Sequence, residues 1–348
     1  MHRTWRKPLV TAVLAASVAV APGGGPAVAD PAGPALPAAQ DLVGVGDADS
    51  QAVLNQFSAD YNATIPGSDT TTPRLYSWDA TGAPTITTKT GATTIARPNG
   101  AEVGISALKN STGATVDFAR SSRGPLPTDP RYFDFVNYAD DALSWAAPGN
   151  GNAPANLTTQ NLKDIYDCDV TTWKQIDPAL PGSTIKPFLP KAGSGTRASF
   201  LAALGIHTVN SCIDDRTVTE GQGSDPKLND PDVLVPYSVG HYIGQAYYGR
   251  GSGADTQGLL TIRGIDGTAP VDATGRAINT DFLTLHGQTV YVVVRDADWA
   301  ATDAHGAALR GVFGPDGWIC TSSTAAADIR TYGFLPLPSG ACGGVLIP

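Results

Sequence analysis

The chain is 348 residues long and 42% hydrophobic, with 32 acidic against 23 basic side chains and a formal net charge of -9. An acidic surplus of this size argues against nucleic acid or an anionic membrane surface as partner. The length suits two hydrophobic cores better than one.

Residues 1–29 have the form of a secretion signal. Arg3, Arg6 and Lys7 precede an apolar run from Leu9 to Val20, and Ala27-Val28-Ala29 supplies small residues for cleavage ahead of Asp30. The run is about a dozen residues, short of the roughly 20 a membrane span needs. The first cysteine is Cys168, far from any lipid-anchor position. Leu337-Pro338-Ser339-Gly340 lacks the apolar tail and basic end of a wall anchor. The expectation is a secreted protein with no transmembrane helix. Residues 30–40 read as a Pro/Ala-rich lead-in.

Ordered structure is expected from Asp41-Leu42-Val43-Gly44-Val45-Gly46, a short apolar strand ending in glycine. Ser50 to Tyr61 follows as a helix: Val53, Leu54, Phe57 and Tyr61 recur at helical spacing, and Ser50 can cap it. Thr115 to Ala119 reads as a strand running into the polar turn Arg120-Ser121-Ser122-Arg123-Gly124-Pro125. Thr158 to Cys168 reads as a helix with Leu162 and Ile165 on its apolar face. Ile185 to Pro190 is a strand leading into Lys191-Ala192-Gly193-Ser194-Gly195-Thr196-Arg197, and Ala198 to Leu204 continues as a helix. Loops are expected at Glu220 to Pro231 and at Thr268 to Ala277. Thr289 to Arg295 is a β-branched, buried strand. Alternating strands and helices define an α/β protein.

Three of these loops share a design in which a strand ends, a Gly/Ser-rich turn follows and a helix begins. A helix N-terminus offers free backbone N–H groups and partial positive charge, which suits an anion. The Ser194-Gly195-Thr196-Arg197 run adds two hydroxyls and a guanidinium. His207, His241, His286 and His305 are scattered without metal-ligand spacing and are expected to be structural or exposed. No metal or cofactor is expected.

In their order along the chain, these segments resemble the PstS-type phosphate-binding component of bacterial phosphate ABC importers. The resemblance runs over roughly residues 41–338. It is carried by Leu42-Val-Gly-Val-Gly46, by Asp117-Phe-Ala-Arg-Ser-Ser122 with Pro125, and by Gly193-Ser-Gly-Thr196. Val235-Pro-Tyr-Ser-Val-Gly-His-Tyr-Ile243 and Tyr332-Gly-Phe-Leu-Pro-Leu-Pro338 extend it. The fold it implies is a two-lobe, type II periplasmic-binding-protein-like α/β fold with a hinge and an interlobe ligand cleft. One lobe would be 41–140 plus 285–348, and the other 141–284. The function it implies is reversible capture of a small oxyanion, phosphate first, by a monomer serving an ABC permease. It implies no catalysis.

By the same resemblance, Ser194, Gly195 and Thr196 would donate to ligand oxygens and Ser121 and Ser122 would face them. The loop at Asn99 and Gly100 would take the place of the family's first-lobe turn. Arg120, Arg123 and Arg197 are candidate anion partners, and Asp49 and Ser50 sit at the start of the first helix. The chain departs from the family pattern at Ser122, where an acidic acceptor is usual, and at Pro190 and Ala192, where an Arg and an Asp are usual. Ala48 stands for a threonine, flanked by Asp47 and Asp49, which are expected to form caps or turns. The four cysteines allow three pairings. Cys168–Cys212 with Cys320–Cys342 is preferred, since each closes a loop inside one lobe. Two other classes stay open: a scaffold or adhesion protein with a degenerate site, and a phosphate-ester hydrolase.

Overall fold

In the computed structural model the described residues are Asp30, 36–338 and 340–348. The leader expected over 1–29 lies outside them, as does 31–35 of the lead-in. Strand β1 (Leu42–Gly46) is buried along its whole length, because elements cover the sheet on both faces. It stops at Gly46, whose φ of +119° only glycine adopts readily. Helix α1 (Gln51–Thr64) then packs back, burying Val53, Leu54 and Phe57. Strand β2 (Leu75–Ser77) lies parallel to β1, and β3 (Thr85–Ile86) pairs with β4 (Ile95–Ala96) as a small ladder. Helix α2 (Ala101–Lys109) leads to β5 (Phe118–Ser121), which lies parallel to β1 on its other side.

Strand β6 (Phe133–Pro148) has 16 residues and spans roughly 50 Å at the usual rise. It carries the chain from one core into the other. Beyond it come β7 (Asn156–Leu157), α3 (Thr159–Tyr166), α4 (Trp173–Ile176), β8 (Lys186–Pro190) and α5 (Gly195–Ala203). They are followed by β9 (Asp214–Val218), β10 (Val233–Ser238), α6 (Val239–Ala246), β11 (Leu260–Ile265) and α7 (Thr280–His286). Strand β12 (Gly287–Arg295) returns antiparallel to β6, with Gly287 opposite Ala142 and Arg295 opposite Phe133. Four helices close this side: α8 (Asp296–Ala300), α9 (Ala304–Phe313), α10 (Trp318–Thr321) and α11 (Ser323–Thr331). Short strands β13 (Leu335–Pro336) and β14 (Val345–Leu346) end on β6. The sheet order is β2-β1-β5-β12-β6-β10-β8-β9. One curled, mixed sheet thus serves two cores.

Those cores define two lobes. Trp145, Tyr166, Trp173, Phe200 and Phe282 belong to the core of the second. The first has Phe57, Phe118, Tyr138 and Phe313 on one face of its sheet, and Val43, Val45, Phe133 and Val293 on the other. Among the described residues no helix is long and apolar enough to cross a membrane.

The disulfides are Cys168–Cys212 and Cys320–Cys342, the preferred pairing. They close loops of 44 and 22 residues, each restricting the unfolded chain by roughly 3–4 kcal/mol in the chain-entropy view. Several expected boundaries move. The strand expected from Thr115 starts at Phe118, because the Asp117 carboxylate turns inward and accepts from Val43 N at 2.6 Å. The helix expected from Ala198 starts at Gly195, because Ser194 Oγ caps it by accepting from Arg197 N at 3.0 Å. Ser50 occupies the cap position of α1 but does not cap with its side chain; its hydroxyl donates to Asp47 instead.

Candidate functional site

The N-termini of α1, α2, α5 and α6 meet where the two lobes touch. Gly100, at the start of α2, has φ +102°, and a Cβ there would run into the Gly193 carbonyl. A Cβ on Gly195 would run into Ser122 Oγ, and one on Gly221 into the His241 ring. Crowding by the facing backbone at Gly100, and by the facing side chains at Gly195 and Gly221, leaves no room for a Cβ. Across the same seam Glu102 N donates to Gly193 O at 3.0 Å.

Three carboxylates are buried at this meeting point. Asp47 accepts from Ser50 N (2.9 Å) and Ser50 Oγ (2.6 Å) through one oxygen, and from Ser122 Oγ (2.6 Å) through the other. Asp49, from the first lobe, accepts from Thr196 Oγ1 of the second and pairs through its other oxygen with His241 Nδ1 at 2.8 Å. Glu220, from the second lobe, accepts from Ser194 Oγ and, across the cleft, from Ala48 N at 3.0 Å. One oxygen of each of the three carboxylates lies within 4.8 Å of the others, a spacing that could hold a cation. Each carboxylate oxygen already accepts a hydrogen bond from the protein, so its own donors hold the cluster together.

His241 bridges two carboxylates, since its Nε2 meets Asp255 Oδ1 at 2.7 Å. Burial works to lower its pKa, but Asp255 and Asp49 outweigh that and hold the imidazole well above its ordinary value. Burial raises Asp49, against the opposing pull of His241. Burial, with Asp47 and Asp49 nearby, lifts Glu220 well above the usual carboxylate range. The four helix N-termini supply the compensating positive field.

The structure brings Asp49, Ser50, Ser122, Ser194, Gly195 and Thr196 to this point, with Asn99 and Gly100 on its wall. Asn99 bridges Gly46, and Gly100 abuts Gly193. It does not bring the arginine side chains expected there. Arg120 is fully buried behind the Asp47 loop, and its guanidinium is spent on Asp47 O, Gly46 O, Ser77 Oγ and Trp78 O at 2.8–3.2 Å. Arg123 is held by Asp129 at 2.7 and 3.0 Å. Arg197 is held by Asp215 Oδ2 at 2.9 Å and by the Pro190 carbonyl at 3.0 Å. Ser121 Oγ turns back to Arg123 O at 2.7 Å.

Two central residues escaped the sequence reading. His241, expected only to be structural or exposed, stands inside the Val235–Ile243 segment, buried in the first turn of α6. Glu220 opens an expected loop; the signal available was that it is one of only two glutamates in the chain, Glu102 being the other.

Two lobes crossed by β6 and β12, with helix N-termini facing across the seam, define a type II periplasmic-binding-protein-like fold. Residues 43–230 match the model of the PBP superfamily domain, and the chain belongs to that family of solute-binding proteins. No curated protein matches the chain. Among solved structures it is similar to a putative phosphate ABC transporter substrate-binding protein with bound phosphate from Clostridium perfringens. That likeness has a TM-score of 0.58 at 14% identity, covering 86% of this chain and 100% of that one. An ABC-type phosphate transport receptor from Vibrio cholerae aligns with a TM-score of 0.54 at 18% identity, over 86% and 100% of the two chains. A phosphate-binding protein from Stenotrophomonas maltophilia aligns at 0.51 and 12%, over 86% and 91%. At these identities the likeness establishes the fold, as the sequence resemblance implies.

Proposed function

We propose that this chain is an exported solute-binding protein that captures a small oxyanion, phosphate first, between its lobes and releases it unchanged. The observation that carries the reading is what the cleft donors hold. Ser194 Oγ and Thr196 Oγ1 at the start of α5, Ala48 N ahead of α1 and Ser122 Oγ after β5 each donate to a carboxyl oxygen. Converging helix N-termini add the field such oxygens need. Phosphate is the first ligand to try because the Clostridium and Vibrio relatives are described as phosphate-transport proteins. The lobes are assigned to 41–140 plus 285–348 and to 141–284, hinging where β6 and β12 cross. An ABC permease is the partner this reading expects.

The test is calorimetric titration of the ligand-free chain with phosphate, arsenate and sulfate. The reading expects micromolar or tighter binding of phosphate. It also expects a loss of about 100-fold or more in Ser194→Ala/Thr196→Ala, two charge-assisted hydrogen bonds being removed. Silence with all three anions refutes it and leaves the scaffold reading. Turnover of a phosphate ester would refute capture without chemistry.

A further inference from the structure

The donors that would hold a ligand are occupied by the chain's own acids. Glu220 takes Ser194 Oγ with one oxygen and Ala48 N with the other, so a single second-lobe carboxylate spans the cleft as an oxyanion would. Asp49 does the converse from the first lobe, holding Thr196 Oγ1 and His241 Nδ1. Glu220 is 3% exposed, and the cleft around it is closed. We infer that the Glu220 carboxylate is a displaceable internal occupant of the cleft, latching the lobes until an oxyanion takes over its two donors. The inference rests on the oxyanion reading for the identity of the ligand, though the latch itself stands apart from that reading.

Displacement has a charge consequence. Asp47 and Asp49 face Glu220 from the loop after β1, and an arriving oxyanion adds further negative charge. The other groups around the cluster are Arg120 on β5, whose guanidinium is spent on neutral acceptors, and His241 on α6, which is shared between Asp49 and Asp255. The Tyr237 hydroxyl on β10 is bound to Gly221 O and Gln245 Oε1 and stays neutral. No free cation is therefore at hand to absorb the added charge among the described groups. Relief comes from a proton on the Glu220 carboxyl, which burial beside Asp47 and Asp49 already favours and which leaves a neutral acid able to donate to the ligand. The protonated carboxyl is thus the form that yields the donors to an oxyanion, and affinity falls as pH rises.

The test compares the chain with Glu220→Gln and Glu220→Ala. Inorganic phosphate is titrated calorimetrically at pH 6.0 and at pH 7.5, phosphate's own titration being common to all three proteins. The expected result is that Glu220→Gln binds phosphate about tenfold tighter at pH 7.5 and loses less affinity between the two pH values than the parent chain. Wild-type affinity with the wild-type pH dependence in Glu220→Gln, or weaker binding, overturns the inference. A second measurement needs no ligand: small-angle scattering of the ligand-free proteins. Glu220→Ala is expected to open the lobes and enlarge the radius of gyration, with its circular dichroism unchanged. If phosphate, arsenate and sulfate bind none of the three proteins, the capture reading fails while an opened Glu220→Ala still supports the latch. An unchanged radius in a folded Glu220→Ala overturns it.

Discussion

Replacing Lys89 with methionine would strand a buried carboxylate at the root of the site. Lys89 Nζ meets Asp117 Oδ2 at 2.6 Å, with both side chains at 0% exposure. The same oxygen accepts from Val43 N and ties β5 to β1, the two strands from which the first-lobe site loops depart. Burial already raises Asp117 above 3.8, and Lys89 is the main opposing influence. Without it Asp117 must fold protonated. That costs about 1.4 kcal/mol for each pH unit above the unfolded pKa, until the raised folded pKa is reached. At pH 7 the deficit is expected to fall in the roughly 3–5 kcal/mol range for breaking a buried ion pair. At pH 5, closer to the unfolded carboxyl pKa, it is smaller. Guanidinium unfolding of both proteins at the two pH values measures this. A deficit below about 1 kcal/mol at pH 7, or one equal at both pH values, would refute the reasoning.

Thr196→Val removes the hydroxyl that α5 offers at the cleft. Phosphate affinity is expected to drop about 10- to 100-fold by calorimetry, with thermal stability little changed. Gly100→Ala places a Cβ against the Gly193 carbonyl at a φ of +102°. It is expected to prevent lobe closure, giving weaker phosphate binding and a larger radius in scattering. Arg197→Met breaks the pair with Asp215, outside the carboxylate cluster. Phosphate affinity is expected to stay within about twofold, while urea unfolding shows a loss of about 1–2 kcal/mol. A large loss of affinity would return the guanidinium to the site.

What could be read from the chain follows the range of the interactions involved. Strand β1, the turn at Gly46 and α1 are encoded locally, by apolar spacing and a glycine, and they form where expected. The Ser194–Thr196 helix start is equally local. Strand β6 is harder to read because Asp134, Asn137, Asp140, Asp141 and Ser144 interrupt its apolar pattern. Several of these are satisfied at a distance. Asp141, for example, accepts from Ser238 Oγ at 2.6 Å and Gly240 N at 2.8 Å, which fixes the start of α6. The carboxylate cluster lies beyond any local pattern. Ala48 meets Glu220 across 172 residues, and Asp49 meets His241 across 192. Arg120 shows the reverse: a guanidinium in a polar turn suggests an anion partner, yet neighbouring carbonyls consume it.

The most direct test of the account is a crystal structure of the chain grown with phosphate. The account expects the anion between α5 and the loop after β1, accepting from Ser194 Oγ, Thr196 Oγ1 and Ala48 N, with Glu220 moved off Ser194 and Ala48 and Asp49 moved off Thr196. Phosphate absent from the cleft at saturating concentration, with Glu220 still bound to Ser194 and Ala48, would contradict it.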